Sequence, residues 1–258
     1  MPNIEIYTLF SGSKGNCVYL KAGGSRVLID AGRSLGAINK ALQLVGSNIN
    51  QIDAVVVTHE HSDHVSALSM MMARHGIPVH MTEKTARAYE AKNRFTASTI
   101  VTHPTEYEIE VGDFSISSFP TPHDSADSVG YLVCAGDETV GYATDMGCPT
   151  KEVLEKLTGC SRVIIESNYD EQMLRTGPYP QFLKSRILSK RGHMSNDGCA
   201  RLVCSLASRG VRSFILAHLS ENNNLPEVAL RTSCDALCAA GHTDVNIIVA
   251  SAHCPTRF

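Results

Sequence analysis

Short apolar runs rich in β-branched residues alternate along this chain with stretches of helical period. Runs of that kind, bounded by Gly, Asp, Asn, Ser or Pro, predict strands. The first half predicts strands at Ile4–Phe10, Cys17–Ala22, Arg26–Ile29 and Ala54–Thr58, with a helix over Leu35–Val45. A helix opening at Asp63 and His64 and running on to Met72 follows, then a strand near Pro78–Met81 and a helix around Glu83–Lys92. Strands resume at Thr99–Val101, Tyr107–Ile109, Phe114–Pro120, Val129–Cys134 and Thr139–Thr144. The second half predicts a helix at Lys151–Leu157, a strand at Arg162–Ile165 and two helices between Pro180 and Ser208. It closes with a strand at Phe214–Ala217, a helix at Pro226–Ala240 and a strand at Val245–Ile248. Meandering strands and helices in each half predict an α/β fold, an αββα sandwich of two mixed β-sheets with helices on the outer faces. No Pro/Ser/Gly-rich linker and no fixed-period repeat divides the chain, so residues 1–258 are expected to form a single domain.

The pattern breaks most informatively where the apolar run Ala54-Val-Val-Val57 gives way to Thr58-His-Glu-His-Ser-Asp-His64. His59 and His61 stand two apart, so in extended chain they point the same way. Asp63 and His64 follow at the start of a helix, which converges four ligand-type side chains where a strand end meets that helix. Imidazole nitrogen and carboxylate oxygen suit zinc, manganese or iron. Three further apolar strands end in a polar residue of the same kind: His123 in Pro120-Thr-Pro-His-Asp124, Asp145 in Gly141-Tyr-Ala-Thr-Asp145, and His218 in Phe214-Ile-Leu-Ala-His218. These complete two ligand sets. His59, His61 and His123 would hold one divalent ion and Asp63, His64 and His218 the other, with Asp145 and a water or hydroxide between them. Paired divalent ions polarise an ester and bring the pKa of a bound water to about 7. No serine or cysteine nucleophile is needed.

Composition narrows the class. At 258 residues and 43% apolar content the chain can bury an ample core. The longest apolar runs are too short to span a bilayer, and Met1-Pro-Asn-Ile-Glu-Ile6 lacks the basic start and apolar core of a leader. Nine cysteines, an odd number and never in Cys-x-x-Cys spacing, are expected to be reduced and mostly in the core, which points to the cytoplasm. A net charge of −3 excludes a protein basic all over. Gln172–His193 nevertheless holds five Lys/Arg (Arg175, Lys184, Arg186, Lys190, Arg191) and no acid. Such a run is either a solvated helix face or a patch that meets phosphate.

His59-x-His-x-Asp-His64 with His123, Asp145 and His218 resembles the metallo-β-lactamase superfamily in motif order across nearly the whole chain. Similarity to its YycJ/WalJ (VicX) group rests on Ser11-Gly-Ser-Lys-Gly-Asn-Cys17, Thr58-His-Glu-His-Ser-Asp-His64, Gly192-His-Met-Ser-Asn196 and Ala217-His-Leu-Ser-Glu-Asn-Asn223. The resemblance implies an αββα fold with two metals between the sheets. It also implies a metal-dependent phosphodiesterase, a 5′-to-3′ DNA exonuclease tied to DNA repair. Glu166, ending the strand Arg162–Ile165, resembles the family's acid that orients a ligand histidine through its other nitrogen.

His193 lies just before the helical pattern Gly198–Ser208, where Ser195 or Asn196 would cap the helix and its N–H groups would face an anion. Against an incidental histidine in a capping loop stands one that hydrogen-bonds the scissile phosphate or protonates the leaving oxygen. A comparable histidine in tRNA-processing RNase Z relatives supports the second role. The basic run leads straight into it, which shifts the weight towards nucleic acid, DNA first, as the partner. The expected catalytic groups are Asp63, Asp145 and His193, and the expected substrate contacts His193, Ser195, Asn196, Lys14 and Asn16. Ser11–Asn16 is Gly-rich but lacks the ending of a P-loop, so a tight turn is its plainer role. The alternatives are a small-molecule phosphodiesterase, a glyoxalase II-like thioester hydrolase, and a regulatory or scaffold protein that keeps metal for stability. A thioester does not call for His193 or the basic run.

Overall fold

The computed structural model describes residues 3–93 and 99–258; Met1 and Pro2, where the reading of the chain's start begins, lie outside them. In chain order the elements are β1 (Glu5–Phe10), β2 (Cys17–Ala22), β3 (Ser25–Ile29), α1 (Leu35–Leu44), β4 (Ala54–Val56), α2 (Ser62–Val65), α3 (Leu68–His75), β5 (Val79–Thr82), α4 (Glu83–Lys92) and β6 (Ile100–His103). There follow β7 (Glu108–Val111), β8 (Phe114–Pro120), β9 (Val129–Ala135), β10 (Glu138–Ala143), α5 (Lys151–Leu157), β11 (Arg162–Glu166) and α6 (Glu171–Thr176). The last are α7 (Gln181–Ile187), α8 (Asn196–Ala207), β12 (Ser213–Ala217), α9 (Pro226–Ala239), β13 (Asn246–Val249) and β14 (Thr256–Arg257). The strands form two mixed sheets of seven, as the alternation of strand and helix periods predicts.

The chain divides into two compact units. The first comprises Met1–Pro120, Ser125–Glu138 and Ser251–Phe258. Its sheet runs β14-β1-β2-β3-β4-β5-β6, antiparallel as far as β3 and parallel from β3 to β6. Strands β7, β8 and β9 add an antiparallel meander. Residues such as Leu28, Val55, Val79 and Met81 from the parallel strands meet Ile38, Leu42, Leu68 and Met71 from α1 and α3 in one buried cluster. The helices start where their sequences allow. The hydroxyl of Ser34 accepts from Ala37 N ahead of α1, and that of Thr82 from Thr85 N ahead of α4.

The second unit comprises Thr121–Asp124 and Thr139–Ala250. Strands β10 to β13 run parallel in sequence order, with Ala143 opposite Ile165 and Glu166 opposite Ala217. Parallel strands bury both faces, and in open parallel sheets the polar groups gather beyond the carboxyl ends.

Two local differences from expectation have clear causes. The helix expected from Asp63 to Met72 is broken between Val65 and Leu68. At the break Ala31 N takes the carbonyl of His64 (2.7 Å), and Ala67 N donates to Ala31 O (2.9 Å), so the α-helical ladder is interrupted by the Asp30–Gly32 segment. Helix α6 was not expected, although Asp170, whose side chain accepts from Met173 N, is a sound N-cap. Strand β14 is too short to carry a periodic signal and exists through its pairing with β1.

Candidate metal centre

In the first unit, the carboxyl ends of the parallel strands β3 and β4 supply the polar groups. Beyond β3, Asp30 is fully buried in a left-handed backbone conformation (φ 61°). Its carboxylate accepts from Thr58 N at 2.8 Å, from Thr58 Oγ1 at 2.9 Å and from His64 Nδ1 at 2.8 Å. A carboxylate only accepts, so His64 must carry its proton on Nδ1 and keep its lone pair on Nε2. The single hydroxyl proton of Thr58 is likewise directed at Asp30. Thr58 Oγ1 therefore accepts from His59 Nδ1 at 3.0 Å, which leaves the lone pair of His59 on Nε2 as well. One buried acid thus sets the tautomer of two histidines. Burial pushes the Asp30 carboxyl up from its ordinary range, against the downward pull of His64 and Thr58.

The rings of His59 and His61 lie 4.6 Å apart edge to face, and those of His59 and His64 4.2 Å apart. Asp63 Oδ2 is 3.5 Å from His64 Nε2. The backbone of Asp63 and His64 is clamped. Asn16 N donates to Asp63 O (2.8 Å), Ala31 N to His64 O, and Gly32 N to Asn16 O (2.8 Å). A Cβ on Gly32 would fall 1.6 Å from the Asp63 carbonyl, so only glycine fits there.

Asn16 is buried rather than displayed to solvent. Its Oδ1 accepts from Gly12 N, and its Nδ2 lies 3.0 Å from His64 Nε2, the same lone pair a metal ion would take up. Lys14 is exposed on the turn, where its carbonyl accepts from Arg33.

In the second unit, Asp145, Glu166 and His218 end the adjacent strands β10, β11 and β12, with Asp145 (φ 55°) and His218 (φ 57°) both left-handed. With His193 they place ligand-type atoms all within 4.8 Å of one another. Glu166 is the hub. Its Oε1 accepts from His193 Nδ1 at 2.7 Å and lies 3.1 Å from His218 Nδ1, while Oε2 accepts from Met146 N and Met194 N. His218 therefore keeps its lone pair on Nε2, and His193 is held as a donor through Nδ1. Burial raises the Glu166 carboxyl, but the charge of His193 and the hydrogen bonds from His193 and His218 outweigh it and hold the group below its ordinary range. His193 is the most open of the cluster, its side chain 21% exposed.

His123 is buried beside it, with Nδ1 3.1 Å from the Gly192 carbonyl, so that it too is a Nδ1 donor. Burial lowers its pKa, against the opposing pull of Asp145. The His193 loop closes on His123 again through Arg191 Nε, which donates to His123 O at 2.9 Å.

Ser195 caps α8 by accepting from Gly198 N (3.1 Å). Asn196 is buried in a reciprocal amide pair with Asn224 (2.9 Å each way) and accepts from Ser167 Oγ at 2.7 Å. Its side chain holds the start of α8 to the segment after β12. Of the basic run, Arg175 pairs with Glu171 and Arg186 with Asp124, while Lys184 Nζ donates to Arg175 O. The stretch is free of acid in sequence, but Glu171 just before it and Asp124 far earlier neutralise two of its cations.

The donor set fits a divalent metal. Each unit offers imidazole Nε2 lone pairs and a carboxylate, with Nδ1 of His59, His64, His123 and His218 oriented by a protein group as metal-bound histidines require. Sequence reasoning passed over Asp30 and the Thr58 hydroxyl. The signal was available, since Asp30 ends an apolar strand as Asp145 and His218 do.

Fold and donor set together define a metal-dependent hydrolase. The chain belongs to the beta-lactamase superfamily, whose domain model matches residues 25–219. It is 33% identical over 235 residues to exodeoxyribonuclease YycJ of Bacillus anthracis, covering 88% of this chain and 86% of that protein. It is 32% identical over 237 residues to exodeoxyribonuclease WalJ of Streptococcus pneumoniae D39, covering 90% and 87%. The metallo-beta-lactamase fold protein YhfI from Bacillus subtilis superposes with a TM-score of 0.74 at 15% identity over 98% of this chain and 99% of that one. Among the described residues, no helix is long and apolar enough to cross a membrane.

Proposed function

We propose that this protein is a dinuclear metal-dependent 5′-to-3′ DNA exonuclease that acts in the cytoplasm in DNA repair, residues 1–258 working as one catalytic domain. Likeness to exodeoxyribonucleases over most of the chain supports the substrate class. The observation that carries the chemistry is Glu166, whose one buried carboxylate holds both the ligand-type His218 and the more open His193 by Nδ1. His59, His61 and His123 would hold one ion, and Asp63, His64 and His218 the other, with Asp145 shared; zinc, manganese and iron all suit these donors. When bound, such ions polarise a phosphodiester and lower the pKa of a water into the neutral range.

The chain's own residues supply the rest. Glu166 orients the His193 ring by accepting from its Nδ1, and the ring's other nitrogen, Nε2, can carry a proton to the departing 3′ oxygen. Asp30 and Thr58 fix the nitrogens that His64 and His59 present. The start of α8, capped by Ser195, adds backbone N–H groups that favour a phosphate.

The test follows release of label from 5′-labelled duplex DNA with manganese. Mononucleotides are expected from the wild type, and His193→Ala is expected to lower kcat by roughly 10²–10⁴-fold, the usual size of a general acid's contribution. Asp63→Ala should abolish release. Undiminished cleavage in the Asp63 variant would overturn the metal mechanism. Turnover of bis-p-nitrophenyl phosphate without DNA cleavage would mark a small-molecule phosphodiesterase, and turnover of a thioester alone a glyoxalase II-like enzyme. Bound metal with no turnover would mark a scaffold.

A further inference from the structure

Helix α7 is two-faced. Leu183 and Ile187, four apart, pack with Tyr179 and Leu188 into a small cluster around Tyr169 and Leu174. Phe182 and Arg186, also four apart, share the other side. Phe182 is 76% exposed, and it is aromatic where the other exposed large hydrophobics of the described residues (Leu44, Met70, Val101, Leu225) are not. A phenyl ring left in water contributes almost nothing to folding, because the hydrophobic gain scales with the area removed from solvent.

The place of this ring is set by the candidate site. Ile187 O, on the last turn of α7, accepts from His193 N at 3.0 Å, and Gly192 N donates to Ser189 O at 3.0 Å. A Cβ on Gly192 would fall 2.2 Å from the Ile187 carbonyl, so the His193 loop lies flush against the end of α7. Arg186 is held by Asp124, the neighbour of His123. Phe182 stands about one helical turn before Arg186, four residues or about 6 Å along the axis. Stacked bases advance roughly 3.4 Å each, so that turn corresponds to one or two nucleotides.

Two lysines share this stretch of chain. Lys184 donates to the Arg175 carbonyl and keeps its charge, and among the described residues no acid pairs with Lys190. An exposed aromatic on the helix that holds the His193 loop, with lysines in the same stretch of chain, suits the holding of a single strand.

We propose that Phe182 is a base-stacking platform on which a nucleobase of the substrate strand lies, with Lys190 against a neighbouring phosphate. The assignment rests on the DNA exonuclease reading and deepens it. A base can lie on the ring only if it is unstacked from its neighbour, so the held nucleotide is unpaired when it binds, whether the strand comes from single-stranded DNA or from the opened end of a duplex.

The chain contains no tryptophan, so Phe182→Trp places a single reporter at the site. In EDTA, which prevents turnover, titration with a single-stranded oligonucleotide is expected to quench its emission. In polarisation assays Phe182→Ala and Phe182→Leu are both expected to weaken oligonucleotide binding about ten- to one-hundredfold, while Phe182→Trp retains it. Hydrolysis of bis-p-nitrophenyl phosphate by Phe182→Ala should stay within twofold of wild type. Full affinity in the leucine variant, or an unquenched tryptophan, would overturn the platform. If wild type degrades DNA while the Phe182 variants bind normally, the platform fails and the exonuclease reading stands. If wild type fails to degrade DNA yet the tryptophan is quenched and the alanine variant binds weakly, the exonuclease reading fails and the platform stands. Altered self-association in Phe182→Ala with unchanged oligonucleotide binding would assign the ring to a protein contact and also overturn the proposal.

Discussion

A histidine binds metal through one nitrogen only if something else takes the other, and this chain arranges that choice residue by residue. Asp30 does it for His64 directly and for His59 through the Thr58 hydroxyl. Asp30→Asn preserves the shape but replaces one acceptor oxygen with an NH₂, which cannot receive all of those donors. Metal affinity, measured by competition with a chromophoric chelator, should fall about 10- to 100-fold. An unchanged affinity would remove Asp30 from the site. A second histidine pair acts on stability instead. His80 Nδ1 lies 3.0 Å from His103 Nε2, and His103 stacks on Tyr107 with ring centroids 4.1 Å apart. Burial lowers both histidines, the charge of His103 adding to the effect on His80. In the unfolded chain they titrate near the ordinary value of about 6.5. Below that pH the unfolded state binds protons that the folded state refuses, so their contribution is full above about pH 6.5 and declines as pH falls towards the lowered folded values. Urea midpoints of metal-free protein at pH 7.5 and 5.5 should therefore differ less in His103→Gln than in wild type. An equal pH dependence would reject the assignment.

The elements that carry the site share one device, a residue in left-handed conformation just past the end of a parallel strand. Asp30, Asp145 and His218 are the positive-φ residues other than glycine among those described, after β3, β10 and β12 respectively. For a residue with a Cβ this backbone costs roughly 1–2 kcal/mol, and its persistence at three strand ends means that the side chain's direction is worth more than the strain. Asp145→Ala loses the carboxylate and keeps the strain, whereas Asp145→Gly relieves it. In EDTA the glycine variant should be more stable in urea by roughly 0.5–1 kcal/mol, the strain relieved less the extra unfolded-state entropy of glycine. A more stable alanine variant would show that φ is imposed by something other than the side chain. This device explains what could be read from the chain beforehand. Strand ends occupied by Asp and His are visible as apolar runs that stop on a ligand-type residue, so the ends of β4, β8, β10 and β12 can be singled out from the chain alone. The strain itself has no periodic signature. Nor does the interruption between α2 and α3, which depends on the His64 carbonyl and the Ala67 N–H being taken by a segment thirty-odd residues earlier.

For the whole molecule, sequence order and spatial neighbourhood part company over charge. Gln172–His193 reads as an acid-free cationic run, yet Glu171 and Asp124, one just before it and one far earlier, pair with Arg175 and Arg186. Arg191 is turned onto the His123 carbonyl. A one-dimensional count cannot see acids that the fold delivers, so the run overstates the cations available to a polyanion. Lys184 and Lys190 remain, on a chain whose net charge is −3. On a molecule that is acidic overall, distant surface repels DNA weakly, and attraction must come from the few cations beside the site. Binding of single-stranded DNA in EDTA should consequently weaken with salt through a small number of released counterions. Each lysine that contacts a phosphate adds about 0.7 to the slope of log K against log salt. Lys184→Ala/Lys190→Ala should therefore flatten that slope by about 1.4 relative to wild type, whereas Arg175→Ala, whose charge is already matched by Glu171, should leave it nearly unchanged. If the arginine variant flattened the slope as much as the double lysine variant, the ion pairs described here would open on binding. The sequence-level run would then be the better guide to the DNA path than the folded arrangement.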